Sequence, residues 1–366
     1  MAFPIEPPIE PMLAHIAEDL PGDGEFQFEP KWDGFRAIVF RGADDVYIQS
    51  RDLKPLDRYF PELHDALLAL LPPRCVVDGE IVITTPTGLD FEALQLRLHP
   101  AQSRVLKLAQ SSPASFVAFD LLAAEGKDIT AAPQHERRSR LEALLGAVAA
   151  PVHVTPMTEQ RSVATDWLQQ FEGAGLDGVV VKPRDSPYLP GKRAMFKVKH
   201  VRSADCVVAG FRWYKDTQDA VGSLLLGLYD DHGVLHHVGV TSAFTMAMRR
   251  SLAELLQPLR KHALDNHPWR DWASEAAQAG TRMPGGQSRW SSGKDLSWEP
   301  LRIERVCEVK YDHLQGDRFR HATHFLRWRP DKPPAACRYD QLEVTTPYAL
   351  QKVFGAAAGS RQRPAS

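Results

Sequence analysis

One lysine in this sequence stands where an amine could be made to act as a nucleophile. Lys31 lies in the octet Glu29-Pro30-Lys31-Trp32-Asp33-Gly34-Phe35-Arg36, in a short turn between two stretches of strand-like alternation. An amine becomes reactive when positive charges surround it and its proton is removed. For a free lysine at neutral pH that deprotonation costs about 4.6 kcal/mol, from a reference pKa of ~10.4. Neighbouring groups must therefore supply several kcal/mol. The same octet also suits a hairpin tip with a solvated lysine, because Asp-Gly is a common turn dipeptide.

Three further stretches gather charge. In Cys75 to Thr84 a period of two puts Asp78, Glu80 and Val82 on one face and Val77, Ile81 and Ile83 on the other. Carboxylates sharing a pleat repel unless a cation or donor sits between them, so a metal ion or a ribose hydroxyl fits there, as does an edge strand with a solvated acidic face. In Ala194 to His200, Lys197 and Lys199 share a face while Phe196 and Val198 point to the core. Two adjacent ammonium groups suit a shared phosphate, or simply solvent. In Arg327-Trp328-Arg329-Pro330-Asp331-Lys332 the two arginines share a strand face and the lysine follows the turn. Phe119, in the strand-like stretch Ser115 to Leu122, reads most simply as core, with base stacking as the other use of such a ring. His321 and His324, like the adjacent His236 and His237, point to opposite faces of a strand and make poor joint metal ligands.

The elements that must hold these residues fall into two groups. Prolines at 4, 7, 8 and 11 imply an extended lead-in, with a regular helix only over Met12 to Leu20. Strands are expected from Glu25 through the lysine octet to Val39, at Val46 to Gln49, and over Asp177 to Lys182; helices over Pro61 to Leu71, Phe91 to Leu98, Gln134 to Leu145 and Ser162 to Glu172, the first, second and third of these amphipathic or surface-lying. From Asp205 the chain becomes a series of short strands, Cys206 to Tyr214, Ser223 to Tyr229, Val234 to Val240, Arg305 to Tyr311 and Arg318 to Arg329, interrupted by one helix over Met246 to Arg260. Five strands with an inserted helix match an oligonucleotide-binding (OB-fold) barrel. Asn266 to Gly293, with Trp269, Trp272 and Trp290, reads as an irregular excursion whose tryptophans serve packing, and the last stretch from Phe354, rich in Ala, Gly, Ser and Arg, reads as a frayed tail.

Bulk properties add limits. The chain has 366 residues, enough for two cores. Its net charge of -2 gives no overall pull toward nucleic acid, so such a surface must be a local stripe. Cys75, Cys206, Cys307 and Cys337 are far apart, which fits free thiols in a reducing compartment. The proline-rich, acidic start has no basic leader and no stretch reaches membrane-spanning length, so a cytoplasmic protein with no membrane association is expected.

The ordered set Lys31-x-Asp33-Gly34, Ser50-Arg51, Asp78-Gly79-Glu80, Phe119-Asp120, Asp177-Gly178 to Lys182, Lys197-x-Lys199 and Arg327-x-Arg329-x-Asp331-Lys332 resembles the motif series of the covalent nucleotidyltransferases: DNA ligases, RNA ligases and capping enzymes. The octet, PYLPGKR before the lysine pair and FLRWRPDKPP look most like the small ATP-dependent DNA ligases of bacteria, the C-type. The resemblance spans about residues 5 to 345. It implies an α+β chain: a nucleotidyltransferase domain of antiparallel sheets with flanking helices over 1–203, an OB-fold barrel over 204–345, and a C-terminal tail over 346–366.

By the same resemblance Lys31 attacks ATP and keeps AMP, Glu29 accepts from the adenine amino group, and Phe119 stacks on adenine. Arg36 and Arg51 hold ribose and phosphates, Glu80 and Asp177 bind ribose or a metal, and Lys197 and Lys199 balance phosphate charge. Arg327 and Lys332 orient the departing pyrophosphate. Lys182 faces the nucleotide by resemblance, yet simple alternation puts it opposite Asp177. The family usually has glutamate where Asp177 stands, so a metal there shifts toward the strand or binds through water. The reading is an ATP-dependent DNA ligase, a monomer using ATP and Mg²⁺ or Mn²⁺ on nicked duplex DNA, with a hinge near Val201 to Asp205. An RNA ligase acting on RNA-containing nicks, a capping-type enzyme, or a non-catalytic nucleic-acid adaptor are the alternatives.

Overall fold

The computed structural model describes residues 3–86, 88–199, 202–215, 217–273, 297–312, 314–342 and 348–355. The chain divides into two compact units, residues 1–200 with 345–366, and residues 201–344. The observed divisions fall at 200/201 and 344/345, against the expected 203/204 and 345/346. His200 and Val201, where a hinge is expected, lie outside the described residues, as do residues 274–293 of the irregular excursion, Trp290 among them.

The first unit is built on two sheets. One has the order Leu13–Ala17, Arg193–Val198, Val179–Pro183, Phe26–Pro30, parallel at its first pair and antiparallel thereafter. The other runs Val152–Val154, Ser115–Ala124, Cys75–Val82, Phe35–Arg41, Val46–Ser50, also largely antiparallel. Alternation decides which face each strand buries. Val77 and Ile81 join one core with Leu63 and Leu67 of the helix Pro61–Leu70, whereas Val82 joins a second core containing Val179, Val181 and Val198 of the other sheet. Each such fully buried branched side chain contributes roughly 1.5–3 kcal/mol.

Three expectations fail here for identifiable reasons. Leu13–Ala17 is a strand and not a helix, because it finds a parallel partner in Arg193–Val198. Phe196 shares a face with Val198 but is 36% exposed, edge-on to Phe26, and so does not enter the core as expected. The C-terminal stretch is not a bare tail: Leu350–Gly355 is a helix, and Leu350 and Val353 are buried in the first unit's core.

The second unit's main sheet has six strands: five run in the order Leu235–Thr241, Val221–Tyr229, Arg202–Trp213, Val306–Tyr311, His324–Trp328, with every neighbouring pair antiparallel, and Glu299–Pro300 pairs with Arg202–Trp213 off that path. Its two outer members meet through Thr323 N donating to Val240 O and Thr241 Oγ1 donating to Thr323 O, which partly closes a barrel. The helix Met246–Leu256, capped by Thr245 Oγ1, covers the core with Leu252 and Leu256. This is the OB-type arrangement the strand series implies. The stretch expected as one strand over Arg318 to Arg329 is two, Arg318–Phe319 and His324–Trp328.

Candidate active site

Lys31 follows the strand Phe26–Pro30, and its backbone is pinned before its side chain does anything. Lys31 N donates to Gly178 O at 2.8 Å, and Asp177 N donates back to Lys31 O at 2.9 Å. Gly178 has φ +118°, and a Cβ there would meet Val198 O at 2.1 Å, so only glycine fits the exchange. Gly34 is required for a similar reason, since its Cβ would lie 2.1 Å from Ile81 O. That close approach lets Gly34 N donate to Glu80 Oε1 at 3.2 Å.

The side chains converge on a pocket of ≈ 180 Å³ between the first unit's sheets. Glu29, Lys31, Arg36, Arg51, Glu80, Phe119, Lys182 and Lys197 all line it, beside apolar Val180 and Met195. Lys31 Nζ lies 2.6 Å from Asp177 Oδ2, and Lys199 Nζ lies 2.8 Å from the same oxygen. Burial pushes the Asp177 carboxyl up, but Lys31 and Lys199 outweigh it and hold the group below the usual carboxylate range. Lys197 is pulled down, first by burial and then by the positive charges of Lys31, Lys199 and Arg51. The cluster is thus one of crowded cations, a setting suited to an anionic ligand.

Glu80 is held differently from Asp177. Burial pushes its carboxyl up to about 7, against the opposing charges of Arg36 and Lys31. Its strand neighbour Asp78 takes a different partner: Arg36 Nε and Nη2 donate to its two oxygens at 2.8 and 2.6 Å, and Tyr188 Oη donates to Oδ2 at 2.7 Å. The cation that separates the two acids is therefore Arg36. Its guanidinium also lies 4.8 Å from the Phe119 ring centre, with Lys182 Nζ at 5.0 Å.

Lys182 does face the pocket. Gly178 breaks the alternation between Asp177 and Val179, so the parity argument that puts Lys182 on the other side does not carry across it. Lys182 Nζ lies 2.8 Å from Glu29 Oε2 and donates to Phe119 O at 2.7 Å. The other Glu29 oxygen accepts from Arg138 Nη1 at 3.3 Å. Arg138 also donates to Thr155 O at 2.7 Å, and Thr155 Oγ1 accepts from Trp32 Nε1 at 2.8 Å. Arg138 is a positioning residue the sequence hides: its helix, Gln134–Leu145, buries Arg137 and Arg138 as well as Leu141, so it is not the surface helix expected.

Arg327 and Lys332 belong to the second unit. Arg327 Nε donates to Glu308 Oε2 at 2.7 Å, and Lys332 Nζ donates to Asp205 Oδ2 at 2.9 Å. Arg329 Nη1 reaches both Asp205 oxygens at 2.9 Å.

Among the described residues no three His, Cys, Asp or Glu side chains group closely enough to hold a metal alone. Glu80 and Asp177 supply carboxylate oxygens, the donor type that a hard cation such as Mg²⁺ takes together with phosphate and water.

Known proteins match this chain along both units. A family model described as the ATP dependent DNA ligase domain matches residues 11–199, and one for the ATP dependent DNA ligase C terminal region matches residues 217–332. The chain is 54% identical to DNA ligase C of Mycobacterium tuberculosis, over 96% of this chain and 99% of that protein. It is also 54% identical to DNA ligase C2 of Mycolicibacterium smegmatis, over 94% and 96%. A solved structure from work on Lig E DNA ligases, described as DNA binding with a minimal scaffold, shares the fold with a TM-score of 0.54 at 18% identity, over 87% of this chain and 99% of that one.

Proposed function

The chain belongs to the ATP-dependent DNA ligase family, and we propose that Lys31 is the residue through which it carries adenylate. The enzyme is an ATP-using DNA ligase that seals nicks. Lys31 Nζ attacks the α-phosphorus of ATP, an N–P bond forms as the bond to pyrophosphate breaks, and AMP stays on the lysine. The adenylate then passes to the 5′-phosphate at a nick, and the 3′-hydroxyl displaces AMP.

The observation that carries this reading is the placement of Lys31 on the pocket wall with Lys197 and Arg51, sharing one Asp177 oxygen with Lys199. That ion pair seats the side chain and must open before attack. Triphosphate oxygens, arriving beside Lys197 and Lys199, replace the carboxylate as the partner of the cations and leave Lys31 to the phosphorus. Glu29, buried and gripped by Arg138 and Lys182, presents an acceptor at the adenine end, and Phe119 supplies a ring for stacking. Arg36 and Arg51 hold the sugar and phosphates. A Mg²⁺ or Mn²⁺ ion held by Glu80 and Asp177 would neutralise phosphate charge when bound. Arg327 and Lys332 serve pyrophosphate departure. No described helix is long and apolar enough to cross a membrane, and the four buried free thiols suit a reducing cytoplasm. The enzyme acts as a monomer.

Incubation with ATP and intact-mass measurement tests the lysine: the parent gains one adenylate and Lys31→Ala gains none. A normal adduct on Lys31→Ala overturns the assignment. Arg327→Ala or Lys332→Ala should slow adenylation while sparing the joining of a pre-adenylated nick; equal loss of both steps contradicts their role. Competition of ATP with GTP, and of all-DNA with RNA-containing nicks, separates a DNA ligase from a capping-type enzyme and an RNA ligase.

A further inference from the structure

The residue directly after Lys31 is held by a part of the chain more than three hundred positions away in sequence. Trp32 is 5% exposed and donates Nε1 to Thr155 Oγ1 at 2.8 Å. Its ring lies 5.1 Å from that of Phe354, with the planes 17° apart. Phe354 in turn stacks on His153 at 4.2 Å and 19°. Phe354 belongs to the helix Leu350–Gly355, whose Leu350 and Val353 are buried in the core that also holds Trp32. The approach to that helix is fastened as well: Tyr348 N donates to Gly173 O at 3.1 Å, and its ring lies 5.3 Å from Phe171.

We infer that the C-terminal helix, through the stack of Phe354 on Trp32, is a positioning element for Lys31 in adenylate formation. This rests on the reading of Lys31 as the adenylate acceptor. The backbone around Lys31 has two restraints. On one side it exchanges hydrogen bonds with Asp177 and Gly178. On the other, Trp32 is fixed at its nitrogen by Thr155 and on its ring face by Phe354. Thr155 is itself tied to Arg138, which grips Glu29, so the residues on both sides of Lys31 hang on one network. Phe354 is not among the residues that line the pocket. Its effect passes through Trp32, which does line the pocket. In-line attack is sensitive to displacements of an ångström, so loosening Trp32 acts on the step that uses Lys31 and not on the later one that no longer needs it.

The test uses the full chain and single-turnover kinetics. Phe354→Ala should slow adenylate formation at saturating ATP about tenfold. The ATP concentration giving half the maximal rate, and the joining of a pre-adenylated nick, should each stay within about twofold of the parent. Phe354→Tyr, which keeps the flat ring, should restore the rate, and Gln351→Ala on the exposed side of the same helix should match the parent. Phe354→Leu keeps apolar volume without a flat ring and carries the test should the alanine variant not fold; it too should be slow. Parental adenylation in Phe354→Ala or Phe354→Leu overturns the inference, as does a Tyr variant as slow as Ala, or an equal loss in joining. A parent that forms no adduct on Lys31 would instead remove the reading on which this one stands.

Discussion

Asp177 and Asp205 each grip a pair of cations, and the surroundings give the two grips different uses. Asp177 holds Lys31 and Lys199. Asp205 holds Arg329 and Lys332. Around Asp205 the charges balance: Asp331 and Glu308 add negative charge against Arg329 and Arg327. Arginine does not give up its proton, so Arg327 and Arg329 act there as fixed charges and not as nucleophiles. Around Asp177 the balance is broken, because Lys197 and Arg51 add positive charge while the nearby Glu80 carboxyl is pushed up to about 7 and is only partly ionised at neutrality. Lysine in such company can exchange its carboxylate for phosphate. An ion pair alone is thus no sign of chemistry; the sign is an excess of one charge beside a cavity.

If that contrast is right, removing a cation from the Asp177 cluster costs catalysis. Lys197→Ala should lower the single-turnover adenylation rate by about a hundredfold, in the range seen when one charge-stabilising donor is lost, with little change in unfolding midpoint. A loss of stability without loss of rate would erase the distinction. Asp177→Asn should come next, slowing adenylation about tenfold while Asp177→Glu, which keeps the charge, retains most of the rate. Equal rates for the three would show that the carboxylate is only a counter-ion.

Glu80 sharpens the contrast through pH. Burial pushes its carboxyl up to about 7 in the folded chain against an ordinary value of 4.5. Between those values the native state binds more protons than the unfolded one, so this group's contribution to stability is fully present below 4.5 and is lost as pH rises through 7. Glu80→Gln should flatten that fall in urea midpoint, whereas an unchanged slope would place the raised carboxyl elsewhere. The smallest expected effect on adduct chemistry lies at the other cluster: Asp205→Asn should lower the urea midpoint for the second unit yet leave a measurable adenylate yield. Complete loss of adduct with an unchanged midpoint would make Asp205 part of the chemistry and collapse the comparison.

What the sequence made legible follows from what alternation can carry. The faces of Cys75–Val82 are as expected, with Val77 and Ile81 in one core and Val82 in another, because period two survives along an unbroken strand. It does not survive a glycine at φ +118°, and so Gly178 reverses the expected side of Lys182 relative to Asp177. Arg137 and Arg138 escaped notice because a helix that buries arginine shows no apolar stripe; only the partners Asp120 and Glu29, far away in sequence, explain their burial. Leu13–Ala17 and Leu350–Gly355 are short segments whose structure is decided by distant partners, respectively Arg193–Val198 and the core around Trp32. Local pattern placed the lysine, the acids and the basic pair, and long-range packing decided what supports them.

The most direct measurement is the site of adenylation. After incubation of the full chain with ATP and magnesium, peptide mapping should find a single acid-labile adenylate on the peptide containing Lys31 and none on those containing Lys197 or Lys199. An adenylate on either of the latter, or on no lysine at all while nicks are still sealed, would contradict the account.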